Sequence, residues 1–313
     1  MKKTFPVKVS KPIEIDFLVE SIGNCQLIKP DSNQKYIIKS VSAPHNADKN
    51  SLVFCKLKDI QGIEKVLNNT NAQVIVVSRK IKTMSNQILV ITNDPLEWFI
   101  KALNLMFESQ SNEGINKFSI ISSKSLISNS STIGANTVIE KDCIIGKNCN
   151  IGSNCYIGKG TIIGDGVFIQ NNVSIGSVGL GYHVTKHGER LFLIHLGSVI
   201  IEDNVVIGSG CVIVRGQLQD TIIHKGSRLG NLVNIGHNVL IGKNCSISSN
   251  TCVAGGVTIA EDCNIAAGVT ISPKLTIGKS CQIGLGSVVI NNVPPNISIF
   301  GNPAKPLPTM RRF

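Results

Sequence analysis

Between residues 121 and 175 an aliphatic side chain returns at every sixth position: Ile121, Ile127, Ile133, Ile139, Ile145, Ile151, Ile157, Ile163, Ile169 and Ile175. The period resumes at Ile201, Ile207 and Ile213 and slips by four residues. It then runs from Ile223 and Leu229 through Ile235, Ile241, Ile247, Val253, Ile259, Ile265, Ile271, Ile277 and Ile283 to Val289. Neither an amphipathic helix, with its period of about 3.6, nor a two-faced strand repeats in this way. A fixed period sustained over so long a stretch predicts a solenoid. Six residues make one short strand and a turn, so three hexads close a triangular coil of eighteen with the aliphatic residues inward. Successive coils stack at the sheet spacing of about 4.8 Å. Gly often follows the aliphatic residue (Gly134, Gly146, Gly152, Gly158, Gly164), and Asn often stands three positions after it (Asn136, Asn148, Asn154, Asn244, Asn250). Both types tolerate the left-handed backbone that tight corners require.

Seven of the ten cysteines fall four places after a repeat aliphatic: Cys143, Cys149, Cys155, Cys211, Cys245, Cys263 and Cys281. That slot is read as one for small inward side chains, with Cys245, Cys263 and Cys281 in a single ladder. Buried thiols act as small hydrophobes more often than as metal or redox centres. Two breaks interrupt the period. The stretch 176–198 cannot fit the coil and is expected to bulge outward as an external loop, and four extra residues near Gln217 to Asp220 form a second, smaller bulge. Loops on a rigid scaffold are natural places for substrate contacts.

Before residue 110 the hexad is absent and the pattern is that of a small α/β unit. Strands are expected at Tyr36–Ser40, Ser51–Phe54, Gln73–Ser78 and Ile88–Thr92, and helices at Asp59–Asn68 and Pro95–Phe107. Asp94 is placed to cap the second helix and Pro95 suits its first turn. The polar run Ser109 to Glu113 marks the boundary. The organisation is a small α/β, nucleotide-binding-like domain over 1–113, a β-helical domain over 114–295 with the external loop 176–198, and a tail over 296–313.

Aromatics make up only 4% of the 313 residues, which suits a core of stacked β-branched side chains. The basic start, Met1 to Lys11, has no apolar run behind it and no stretch reaches the length of a membrane span, so a cytoplasmic protein is expected. With no CxxC pair and no Cys/His metal spacing, the cysteines are read as free thiols. The net charge of +11 is spread along the chain. Without a dense basic block or interleaved aromatics it argues against nucleic acid and for a phosphate-rich substrate or an acidic protein partner.

The hexad pattern resembles that of the bacterial hexapeptide transferases, whose parallel β-helices are left-handed against the usual crossover rule. Within them the chain resembles the UDP-3-O-acylglucosamine N-acyltransferases, the LpxD family of lipid A synthesis. The likeness lies in GSVGLGY (Gly176–Tyr182), LGSVIIEDNVVIG (Leu196–Gly208), RGQLQDTII (Arg215–Ile223) and NLVNIGHNVLIG (Asn231–Gly242). In the first domain, SVSAPHNADKNSLVF, NAQVIVV and NDPLEWF look like the family's uridine-binding module.

This resemblance implies His237, the histidine of the GHN segment, as general base. Acylating an amine requires removal of a proton as nitrogen attacks a thioester, and imidazole exchanges protons near neutral pH. One coil on, Gly255 offers a backbone N–H to the developing oxyanion. Phe54, Asn231, Asn234, Asn238 and Lys274 are the implied substrate contacts, with Lys274 standing where the family usually has a second histidine. The family's Phe, Asn, Tyr uridine pattern is here Phe54, Leu57 and Ile60. Val214 and Gly230 stand where the family has acidic residues, and the ending GNPAKPLPTMRRF resembles that of many CoA-dependent sugar acetyltransferases.

The activity implied is transfer of an acyl group from acyl carrier protein, as its phosphopantetheine thioester, to the amino group of a UDP-linked glucosamine derivative. It would be performed by a homotrimer without metal or resident cofactor. The alternative is an N-acetyltransferase of a nucleotide-linked amino sugar that uses acetyl-CoA. A scaffold that has lost its site is disfavoured by the retained GHN segment. A zinc hydratase would need three converging histidines, whereas His183, His187 and His195 lie in one loop without repeat spacing. A nucleotidyltransferase would need a glycine-rich nucleotide loop near the start.

Overall fold

A computed structural model describes residues 6–31, 35–81, 87–107 and 114–306. The chain divides into two compact units, Met1–Ser111 and Asn112–Phe313. The polar boundary Ser109–Glu113 and the Arg311-Arg312 pair lie outside the described residues.

The first unit is a six-stranded mixed sheet in the order β1-β3-β4-β5-β6-β2. Its strands are β1 (Val7–Glu14), β2 (Gln26–Ile28), β3 (Ile37–Val41), β4 (Ser51–Phe54), β5 (Val74–Val77) and β6 (Ile88–Ile91). β3 to β6 are parallel neighbours, and antiparallel β1 and β2 close the edges. The central strands are apolar on both faces because helices cover both. Val74, Val76, Ile88 and Val90 pack with Leu18 of α1 (Ile15–Ile22) and with Trp98, Phe99 and Ala102 of α3 (Pro95–Met106). Ile75, Val77 and Leu89 pack with Ile63 and Leu67 of α2 (Ile60–Asn68) on the other side.

The Asp59 carboxylate accepts from the Gly62 N–H at 2.6 Å and caps α2. Asp94 accepts from Leu96 and Glu97 and caps α3. Each such cap satisfies helix donors that would otherwise be orphaned, a contribution of about 1 kcal/mol. The six expected elements are present. The β1–α1–β2 segment, which the sequence pattern does not signal, completes the unit.

The second unit is a left-handed parallel β-helix with three sheets of nine, eight and ten strands. Residues eighteen apart pair in register, as in Ile139 with Ile157, Ile145 with Ile163, and Ile151 with Ile169. The hexad aliphatics from Ile133 to Val289 are at most 2% exposed and form one continuous core. Each contributes on the order of 1.5–3 kcal/mol of burial.

The slot four places after the aliphatic asks for more than small size. Its serines and threonines are hydrogen-bonded: the Ser131 hydroxyl donates to the Gly146 carbonyl at 2.7 Å and accepts from the Cys149 N–H at 2.8 Å. Thr137 and Ser227 repeat the pattern. The cysteines do the same more weakly, Cys149 Sγ donating to the Gly164 carbonyl at 3.0 Å. All ten cysteines are free. Hydrogen bonding to Cys245, with burial added, pushes the Cys263 thiol up to about 12, so it stays protonated and structural.

The glycines after the hexad aliphatic have a different cause from the one anticipated. Gly134 and Gly152 lack positive φ. A methyl added at Gly134 would lie 2.5 Å from the Ser153 nitrogen, and one at Gly152 2.8 Å from the Asn171 nitrogen. They are there because the next coil passes too close for a Cβ. The left-handed corner belongs to the asparagines, with φ of 58° at Asn136 and 54° at Asn148.

Candidate active site

Both breaks in the hexad, and the histidine of the GHN segment, fall on one edge of the β-helix, where the chain leaves the nine-stranded sheet for the eight-stranded one. The loop after Ser174–Ser177 is a β-hairpin, Tyr182–Val184 paired with Arg190–Phe192. It is closed at its base by the Leu193 N–H donating to the Gly181 carbonyl at 2.8 Å. The small bulge follows on the next coil. The two interlock: the N–H groups of Leu196 and Gly197 donate to the Gln217 carbonyl at 2.6 and 3.0 Å, and the Asp220 carboxylate accepts from the Ser198 N–H at 2.6 Å. The Arg215 guanidinium Nε donates to the Gly197 carbonyl at 2.8 Å.

His237 stands half-buried on the coil after the bulge. Its tautomer follows from its surroundings. The Asn238 amide is oriented by the backbone of the bulge, its Oδ1 accepting from the Gln217 N–H at 3.2 Å and its Nδ2 donating to the Gln219 carbonyl at 3.1 Å. The same Oδ1 lies 2.9 Å from His237 Nδ1, which must therefore be the donor. Nε2 is left as a bare lone pair. The face of the imidazole ring lies against Gly255, where an added methyl would be 2.6 Å from Nε2 and 2.7 Å from Cε1. The Gly255 N–H has no hydrogen-bond partner among the described residues. One coil further, the Lys274 N–H donates to the Gly255 carbonyl at 3.0 Å, and Lys274 holds a left-handed corner with φ of 61°.

The edge thus collects His237, Asn238, Gly255 and Lys274. Asn234 lies three residues before His237 on the nine-stranded face, exposed between Val212 and Cys252. Asn231 sits at the preceding corner, where its Oδ1 accepts from the Ser209 N–H at 2.9 Å. Phe54 belongs to the first unit and packs on Phe99 with ring centroids 4.8 Å apart, while Leu57 and Ile60 are exposed.

From the sequence His195 enters only as one of three loop histidines, with no role at this site. Its ring centroid lies 5.8 Å from that of His237 in an edge-to-face arrangement, and the residue is only 6% exposed. The histidines of the loop do not act as a group: His183 and His187 are exposed on the hairpin, and among the described residues no three metal-binding side chains converge. Only the glycines of GSVGLGY gave a signal, because Gly179 and Gly181 leave the space that the His195 ring fills.

Family models describe the hexads directly. Residues 137–177 and 198–217 match the hexapeptide repeat of succinyl-transferase, and residues 241–273 match the bacterial transferase hexapeptide. The UDP-3-O-acylglucosamine N-acyltransferase of Azorhizobium caulinodans is 51% identical over 133 residues, 42% of this chain and 37% of that protein. That of Campylobacter lari is 44% identical over 81 residues, 26% of this chain and 25% of that protein. The matches therefore span between a quarter and two-fifths of these relatives' length. Among solved structures, LpxA from Acinetobacter baumannii superposes with a TM-score of 0.57 at 24% identity, over 62% of this chain and 74% of that one. The UDP-N-acetylglucosamine acyltransferase of Campylobacter jejuni gives 0.56 at 21% identity, over 62% and 73%. Those two likenesses establish the fold. With the repeats and the sequence matches they show a left-handed β-helix built on bacterial transferase hexapeptide repeats, similar over part of its length to the UDP-3-O-acylglucosamine N-acyltransferases.

Proposed function

We propose that the protein transfers an acyl group from acyl carrier protein to the amino group of a UDP-linked glucosamine derivative, as in lipid A synthesis, with His237 as general base. The observation that carries this reading is the bare Nε2 of His237, held in that state by Asn238 and set on the edge that bears both breaks in the repeat. As the amine nitrogen attacks the thioester carbonyl, Nε2 takes one of its protons. The carbonyl oxygen becomes an oxyanion for which the Gly255 N–H is the candidate donor. The C–S bond then breaks, and the thiolate recovers the proton from the imidazolium to leave as a thiol. No metal or resident cofactor is required by this sequence of steps.

Asn238 is assigned to positioning, because its side-chain polar atoms are engaged by His237 and the bulge. Lys274 is assigned to phosphate or pantetheine binding, Asn231 and Asn234 to substrate contacts further from the base, and Phe54 to stacking on uracil. A cytoplasmic homotrimer is the working form. Its support is an outward aliphatic ladder on the eight-stranded face, where Leu126, Ile144, Ile162, Ile200, Ile222 and Leu240 pair in succession. Leu126 and Ile144 are 69% and 45% exposed, so the single chain leaves this stripe uncovered.

The test is His237→Ala. It should lower turnover by about 10²–10⁴, the usual worth of a positioned general base, while leaving the thermal transition in place. Turnover within threefold of the parent would place the base elsewhere. The acetyl-CoA reading draws on the exposed apolar Leu57 and Ile60 near Phe54, and the choice of donor separates the two readings.

A further inference from the structure

His195 has no role in the reaction as derived so far, yet its environment is specific. Its Nδ1 lies 2.9 Å from the Leu193 carbonyl, an acceptor only, so Nδ1 carries the proton and Nε2 is a bare acceptor. That Nε2 is buried and has no hydrogen-bond partner among the described residues. A buried acceptor left unpaired is destabilising, so its place here asks for a donor. The backbone makes room for the ring: methyls added at Gly179 and Gly181 would lie 3.2 Å from Nε2 and 2.9 Å from Cε1. Phe192 stacks at a centroid distance of 6.3 Å, and His237 meets it edge-to-face at 5.8 Å. A leucine would fill this space without leaving an unpaired polar atom beside the base.

We propose that His195 is a substrate-binding residue whose Nε2 accepts a hydrogen bond from a polar hydrogen of the acceptor sugar near the reacting amine, orienting that amine toward His237. This rests on the proposed N-acylation at the same edge. The edge would then present two imidazoles in the same tautomer, each with Nδ1–H donated to the protein and Nε2 kept for substrate. The first takes a proton during attack; the second only accepts a hydrogen bond. Beside Nε2 runs the Gly179–Gly181 turn, which carries no side chain at either glycine.

Two substitutions separate the acceptor from the ring. His195→Gln keeps an acceptor without the ring, and His195→Phe keeps the ring without the acceptor. With UDP-3-O-acylglucosamine as acceptor, His195→Phe should lower kcat/KM by at least tenfold, mostly through KM, and His195→Gln should stay within about threefold of the parent. Equal activity of His195→Phe and the parent would overturn the proposal, as would a His195→Gln defect as large as that of His195→Phe. Nitrogen-15 NMR of the histidines gives a readout independent of turnover: adding UDP-3-O-acylglucosamine should move the His195 Nε2 resonance toward its hydrogen-bonded position. An Nε2 already hydrogen-bonded in the free protein would also overturn the proposal, because the donor would then be protein or water. If His237→Ala kept full turnover while the His195 resonance still moved, the base assignment would fail and the His195 assignment would stand.

Discussion

Gly255→Ala isolates the geometry of the base. The added methyl would lie 2.6 Å from Nε2, 2.7 Å from Cε1 and 3.0 Å from Cδ2 of His237. These atoms belong to a half-buried side chain that can swing outward. Swinging sacrifices the hydrogen bond to Asn238, a net loss of about 1 kcal/mol. It also removes the base from the path of attack, with a fall in turnover of about 10²–10⁴. Gly255 lacks positive φ, so alanine adds no backbone strain. The contrast is Gly242→Ala, whose methyl would meet the Glu261 nitrogen at 2.5 Å and the Ala260 carbonyl carbon at 2.6 Å. Backbone cannot swing away, so that change should cost stability and spare the turnover of whatever remains folded. Thermal melts and steady-state kinetics on both variants decide the matter. If Gly255→Ala works at near-parental rate, the ring is not held where activity requires it and the assignment of His237 collapses.

Lys274→Ala should raise KM for the donor and leave kcat within a few-fold; abolished turnover at unchanged KM would instead make Lys274 part of the chemistry. Sedimentation at micromolar concentration should give a trimer, and Ile144→Asp on the exposed ladder should dissociate it; a parent that sediments as a stable monomer would remove the role given to that ladder. Turnover with acyl carrier protein should exceed that with the matching acyl-CoA and fall steeply with salt, since the chain's net +11 attracts an acidic protein over a Debye length of about 8 Å at physiological ionic strength. Efficient and salt-insensitive use of acetyl-CoA would favour the N-acetyltransferase reading.

The β-helix is legible in the sequence because one chemical requirement, an inward aliphatic, recurs at a fixed interval and tertiary context never overrides it. The helices capped by Asp59 and Asp94 are legible for a related reason: the cap is local. β1 and α1 escape notice because β1 is an edge strand carrying Lys8, Lys11 and Pro12, and the eight-residue α1 begins after Glu14, whose side chain makes no cap. At the site, the place of His237 follows from the period alone. The bond between Gln217 and Asn238 does not, since it joins a bulge to a corner twenty-one residues later. His195 reads as one more loop histidine until the hairpin turns it inward. The glycines after each aliphatic show the limit of reading conformation from composition: Gly146 is there for the proximity of Gly164 on the next coil, a distance with no local signature.

Because every coil repeats the last with the same eighteen-residue register, the working edge is graduated like a ruler, with about 4.8 Å between marks. His237 and Gly255 occupy the same mark on successive coils and Lys274 lies one residue past it on the third, so reach along this edge is counted in whole coils rather than adjusted continuously. Adding or removing a coil between His237 and Lys274 would reset the spacing between proton transfer and anion binding by one mark while leaving every corner and every core contact of the same kind. Length along the axis and chemistry at the edge are therefore separable in this architecture, and a site for a longer or shorter substrate can arise without redesign of the interior.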